Sequence, residues 1–178
     1  MILSKKNSNT LNRFEKTVSV PETHGEILDV GIEKLISMMR LSENDVFLDL
    51  GSGRGKVVQQ VFLNSRAKEA VGIELLFDLH DAAKTAAEKI RKEINNRRLT
   101  FLCGDFLKTP LPFATVLFIN STCFSQSMLR AIGKIINQTP TIRSVFSTRP
   151  ITTLERLGFK KTFYIECSWD TALCYVYL

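Results

Sequence analysis

Short apolar runs alternate with longer amphipathic ones through most of this sequence. "VFLDL" (46–50), "EAVGIEL" (69–75), "LTFLCG" (99–104), "TVLFIN" (115–120) and "IRSVFST" (142–148) are each bounded by charged or turn-forming residues, as buried strands are. The runs between them carry helical spacing. In "GEILDVGIEKLISMMR" (25–40), Leu28, Ile32, Leu35 and Met39 fall on one stripe. "KVVQQVFLNS" (56–65), the alanine- and lysine-rich stretch from Asp78 to Asn95, and the stretch from Ser125 to Asn137 read as helices, and "ITTLERLGF" as a short helix ending at Gly158. Strands that take turns with helices are the signature of a parallel sheet, because each helical crossover returns the chain to the end of the sheet where the previous strand began. The end differs: "KTFYIECSW" and "TALCYVYL" are separated by one residue, close enough only for a hairpin. The expected fold is α/β and Rossmann-like, a doubly wound, mostly parallel seven-stranded sheet with a C-terminal antiparallel hairpin. A dehydrogenase half would instead continue with βα units.

Bulk properties set the outer limits. A chain of 178 residues, 44% hydrophobic and 24% charged, suits one domain with a full core. Residues 1–20 read as a polar N-terminal arm and 21–178 as a single domain. No apolar run is long enough to cross a bilayer, and the start lacks the apolar core of a signal peptide. Cys103, Cys123, Cys167 and Cys174 show no metal-ligand spacing, so reduced thiols and a cytoplasmic location are expected. The formal charge of +6 is spread with no Lys/Arg block longer than two, which reads as a solvated surface and gives no strong nucleic-acid signal.

The segment "DLGSGRGKV" (49–57) follows the first strand and opens the second helix. It lacks the hydroxyl after the lysine that a phosphate-binding P-loop needs, and its Gly51-Gly53-Gly55 spacing puts the third glycine one place early for the dinucleotide fingerprint. Asp49, two residues before the first glycine, would repel a pyrophosphate. S-adenosyl-L-methionine carries no phosphate, and its sulfonium and ammonium welcome a carboxylate. Gly51, Ser52, Gly53 and Gly55 would bring backbone close to that cofactor. Glu74 closes the second strand and can accept from both ribose hydroxyls. Gly104, Asp105 and Phe106 follow the third strand, where Asp105 could accept from the adenine amino group and Phe106 could lie against the adenine or pack in the core. All of these fall at carboxyl ends of successive parallel strands, where open α/β sheets bind ligands.

These residues resemble one family, the non-SET histone lysine methyltransferases of the disruptor-of-telomeric-silencing class and their small bacterial relatives, which are class I methyltransferases. "PETHGE" (21–26) is similar to its cofactor-covering loop, "VFLDLGSGRGKVVQQV" to its glycine motif, "GIE" and "GDF" to the following strand ends, "LFIN" to its fourth strand, and "FSTRP" and "SWDTALCYVYL" to its last strands. The resemblance implies that Gly25 and Glu26 hold the methionine end of the cofactor, that Asn120 faces the transferring methyl, and that Trp169 walls the acceptor channel. His24 stands where the family has tyrosine, and Ser121 and Thr122 where it has asparagine and phenylalanine. His24 is a candidate base or a hydrogen-bonding residue. The implied function is methyl transfer to a protein lysine, with a small molecule or RNA as the alternative acceptor and a non-catalytic cofactor-binding module as the other reading. The expected partner is an unidentified protein or small-molecule methyl acceptor, with no membrane involved.

Overall fold

A computed structural model describes residues 26–90, 97–111 and 113–178. The expected arm, His24, Gly25 and the last turn of the helix drawn to Asn95 lie outside these residues. Strands β1 (Val46–Leu50), β2 (Glu69–Glu74), β3 (Arg98–Cys103), β4 (Val116–Ile119), β5 (Ser144–Ser147), β6 (Phe159–Glu166) and β7 (Thr171–Tyr177) form one seven-stranded sheet in the order β3-β2-β1-β4-β5-β7-β6. The first five pair in parallel, while β7 runs antiparallel between β5 and β6. Helices α1 (Asp29–Met39), α2 (Lys56–Asn64), α3 (Phe77–Ile90) and α4 (Gln126–Asn137) cover the two faces. Among the described residues, no helix is long and apolar enough to cross a membrane.

Strand alternation sorts the core into two layers. Phe47, Phe118 and Phe146 point toward α1, α2 and α3 and join Ile32, Leu35, Val58, Val61 and Ala83. Leu48, Leu50, Leu117, Ile119 and Val145 point the other way and meet Leu129, Ile132 and Ile136 of α4. Asp49 shares the Phe47 face, so the sheet carries a carboxylate into the layer beneath α2. At the opposite strand ends Asp45 is buried and accepts from Arg143 Nε (2.9 Å) and Nη2 (2.8 Å), Ser42 N (2.8 Å) and Thr115 Oγ1 (2.9 Å). Those partners outweigh its burial and hold its carboxyl well below the usual carboxylate range.

Two expectations fail. Leu28 does not extend the α1 stripe: it is the N-cap residue, extended and 41% exposed, and the buried face begins at Gly31 and Ile32. Residues 151–158 form turns and bends, not a helix. Ile151 and Leu157 are still buried, but side-chain bonds from outside the segment take its backbone groups: Tyr177 Oη accepts from Ile151 N (2.9 Å), Asn137 Oδ1 from Glu155 N (3.0 Å), and Asn137 Nδ2 donates to Thr153 O (2.9 Å). Apolar spacing marked which residues are buried, and tertiary partners replaced the helical ladder.

Candidate functional site

The carboxyl ends of β1, β2 and β4 open onto a cavity of about 810 Å³ lined by Glu26, Ile27, Asp49, Gly51, Ser52, Gly53, Arg54, Lys56, Val57, Leu76, Phe77, Asp78, Leu79, Phe118 and Asn120. That is ample for a nucleoside-sized ligand with a side arm. The polar lining holds three carboxylates and two cations, so a zwitterion or a cation fits better than a polyanion.

The glycine turn is built to approach the ligand, not to cradle phosphate. Gly51, Gly53 and Gly55 all have positive φ (82°, 54° and 78°), and at Gly55 a Cβ would also stand 2.5 Å from the Phe101 ring. Four N–H groups of the turn are already used. Gly51 N and Ser52 N donate to Ile73 O (2.9 and 3.1 Å), Gly53 N to Glu74 Oε2 (2.8 Å), and Gly55 N to Ser52 O (2.8 Å). Phosphate sites at such turns depend on convergent free N–H groups, and these four are spent within the protein.

Two polar atoms at the cavity wall lack partners. Asp49 Oδ1 and Ser52 Oγ are both buried without a hydrogen bond, on side chains only 3% and 8% exposed. Such atoms call for a donor or a positive charge from a ligand. Burial first, and the Glu74 carboxylate second, push the Asp49 carboxyl up to about 8. A cation beside it would draw it back to the ionised form. The residues present therefore fit S-adenosylmethionine, which supplies that charge and no phosphate.

Glu74 has a structural task that the sequence did not indicate. It is not among the lining residues. Its Oε2 accepts from Gly53 N and its Oε1 from Leu76 N (2.9 Å), so it ties the glycine turn to the entry of α3. Gly104, Asp105 and Phe106 likewise stand outside the cavity lining. Asp105 Oδ1 caps its own turn through Leu107 N (2.9 Å), with Lys108 Nζ 3.2 Å from Oδ2. Phe106 is taken by the core, stacked on Phe124 at 5.7 Å. Trp169 is 44% exposed at the β6–β7 turn, also outside the lining, although Ser168 beside it is bonded to Glu26.

Asn120 does reach the cavity, directly beyond β4. Its Oδ1 accepts from Thr122 Oγ1 (2.9 Å) and Thr148 Oγ1 (3.2 Å). Thr148 Oγ1 in turn accepts from Ser121 N (2.8 Å), which leaves its own proton for Asn120. Two hydroxyls use both lone pairs of the carboxamide oxygen, so Asn120 has only its N–H₂ to offer a ligand. The sequence placed Asn120 at the site but not the direction of its carboxamide, because Thr148 lies 28 residues away and no local signal links the two. Sequence reasoning also passed over Lys56 and Arg54 as lining residues. Their place inside the glycine motif was the only available sign of them.

Comparison with known proteins identifies the family and the fold. Residues 3–162 match the family described as "Histone methylation protein DOT1". A "Histone-lysine N-methyltransferase, H3 lysine-79 specific" of Caenorhabditis elegans is 30% identical over 161 residues, 85% of this chain and 16% of that protein. A protein so described from Candida glabrata is 26% identical over 143 residues, covering 72% of this chain and 21% of its own length. The chain thus spans a minor part of these relatives. A solved RNA methyltransferase from Salinibacter ruber, in complex with S-adenosyl-L-homocysteine, matches with a TM-score of 0.63 at 23% identity, over 82% of this chain and 87% of the other. The fold is that of a class I methyltransferase.

Proposed function

We propose, since this chain belongs to the family of the histone methylation protein DOT1, that it is an S-adenosylmethionine-dependent methyltransferase acting on a protein lysine. One observation carries the cofactor assignment: a glycine turn that spends four of its N–H groups internally stands beside Asp49, buried with an unpartnered oxygen. A phosphate-bearing cofactor would find no charge to pair with there and would hold Asp49 protonated, whereas a sulfonium and ammonium draw that carboxyl to its ionised form and are attracted by it.

When bound, the cofactor supplies an electrophilic methyl group on a positively charged sulfur. The rest falls to the chain. Asp49 and Glu26 hold the cationic part, and Ser52 offers its free hydroxyl. Arg54 and the Asn120 Nδ2 hydrogens are the donors left for a carboxylate or for oxygens of the acceptor, because Lys56 is engaged by Ile27, Asp29 and Glu26. Glu74 sets the turn through Gly53 and Leu76, with the outer lone pairs of its oxygens left for hydroxyls. A lysine ammonium must shed its proton before it can attack. Apolar lining from Ile27, Val57, Leu76 and Phe118 favours the neutral amine by denying the charged form its hydration. The remaining contribution is alignment of nucleophile and methyl, which needs no covalent intermediate.

The test is to incubate the protein with S-adenosylmethionine labelled in its methyl group and a cell lysate, then locate the label. Label on lysine in a protein band supports the reading. Label in RNA or in a small molecule replaces the acceptor, and no label above a boiled control removes the catalytic assignment.

A further inference from the structure

One side of the cavity mouth is assembled from three stretches far apart in sequence. Glu26–Leu28 lies antiparallel to Glu166–Ser168. Ile27 bridges Cys167, Leu28 N donates to Glu166 O (2.9 Å), Ser168 N to Glu26 O (2.8 Å), and Glu26 N to Ser168 Oγ (3.1 Å). Two strands this short do not hold each other in water. Something else must fix the pair.

Two contacts do so. The first is close packing of α1 on the end of β6. At Gly31 a Cβ would stand 2.5 Å from Glu166 O and 2.9 Å from Glu166 N, so the two backbones touch there. The second is Lys56, the first residue of α2, directly after the glycine turn. Its ammonium donates to Ile27 O (3.1 Å) and lies 3.1 Å from Asp29 Oδ1 and 4.0 Å from Glu26 Oε2. One side chain with three donors thus addresses three oxygens of a four-residue segment. Asp29 and Glu26 are exposed, at 71% and 55%, and ion pairs of that kind contribute little. The bond to Ile27 O is different, because Ile27 is 3% exposed and its carbonyl faces the half-buried lysine.

We propose that Lys56 is a positioning residue: it fastens Glu26–Asp29, and through that segment the tip of the β6–β7 hairpin, to the turn that binds the cofactor. Glu26 and Ile27 line the cavity, and Trp169 follows Ser168 on the hairpin. A ligand that engages Glu26 is therefore felt at Trp169, and the two halves of the site are ordered together. Only this functional consequence rests on the methyltransferase reading. The fastening itself does not.

The test uses amide hydrogen exchange of the whole protein without ligand. In Lys56→Met, the Leu28 and Ser168 amides should exchange about tenfold faster, the mark of a local opening. In Lys56→Arg, which keeps the cation, they should match wild type. The Gly51 and Ser52 amides, bonded to Ile73 O, should be unchanged in both. Gly31→Ala should loosen the same two amides from the other side with Lys56 intact. Trp169 is the single tryptophan, so its emission reports the hairpin tip. Saturation with S-adenosylhomocysteine should change that emission in wild type and Lys56→Arg. In Lys56→Met, calorimetry should still record binding, with the emission change lost. Unaltered exchange at Leu28 and Ser168 in Lys56→Met, or equal acceleration at every amide, overturns the proposal. A wild type that does not bind S-adenosylhomocysteine overturns the cofactor reading instead, and the exchange result still decides the role of Lys56.

Discussion

Replacing Glu74 with glutamine tests whether this residue is first a structural clamp. Its carboxylate is 8% exposed and accepts from Gly53 N at 2.8 Å and Leu76 N at 2.9 Å. Both tasks need an acceptor. A carboxylate has two acceptor oxygens and no donor, whereas a carboxamide of the same length has one oxygen and turns an N–H₂ toward the second N–H. Glu74→Gln must therefore leave one buried N–H without a partner, which costs about 2 kcal/mol. For a chain of this size that lowers the melting temperature by about 4–8 °C. Glu74→Ala leaves both N–H groups open and should lose about 3–5 kcal/mol. The opposing effect is relief of repulsion with Asp49. At pH 6 it is small, because Asp49, pushed up to about 8, still carries its proton there. At pH 9 Asp49 ionises in the wild type against the Glu74 charge, so the gap between wild type and Glu74→Gln should narrow. Urea unfolding followed by circular dichroism, without ligand, at the two pH values measures both. If Glu74→Gln is as stable as wild type at pH 6, within roughly 0.5 kcal/mol, the two backbone bonds do not carry the turn and the reasoning fails.

Asp49 should give a proton linkage. Its folded-state carboxyl lies near 8 against an ordinary 3.8, so the folded form holds a proton that the unfolded form has released, and stability should decline as pH rises from about 4 to 8 and level off above that. A cationic ligand expels the proton: at pH 7 the enthalpy of S-adenosylmethionine binding should depend on the buffer's ionisation enthalpy, and Asp49→Asn should abolish that dependence. For Asn120, Ala should leave S-adenosylhomocysteine affinity within about threefold, and Asp, which puts an acceptor where the N–H₂ faced the cavity, should weaken it about tenfold. Methyl transfer should fall by roughly one to three powers of ten in the Ala variant, and equal affinity of the Asp variant and wild type would show that the oxygen faces the ligand. Arg143→Met should cost about 1.5–3 kcal/mol above pH 5, a discounted figure because Arg143 is half exposed while Asp45 is buried. Asp45 is held below its ordinary 3.8, so its stabilisation is present above about pH 4 and lost as pH falls further; acid titration of Arg143→Met should show a shallower loss there.

The sheet was legible in the sequence because hydrophobic period and turn residues are local properties. "VFLDL", "TVLFIN" and the closing hairpin runs each became strands, and their alternation with helices indicated a mostly parallel sheet ending in an antiparallel hairpin, while the insertion of β7 between β5 and β6 came only with the fold. The glycine turn, with Asp49 ahead of it, was legible for the same reason: positive φ restricts residue type within a few positions. Local pattern failed where a distant group decided the outcome. "ITTLERLGF" has helical spacing, yet Asn137 and Tyr177 capture its backbone. The motif left Phe106 open between an adenine and the core, and its stacking on Phe124 puts it in the core layer. The direction of the Asn120 carboxamide depends on Thr148, the reach of Lys56 on Ile27, and the mouth of the cavity on Ser168, which meets Glu26 across 142 positions. Residue type and spacing determined which groups could meet a cofactor. Only the packed chain decided which of their donors and acceptors were already used, because a hydrogen bond between distant residues exists only once the fold has brought them together.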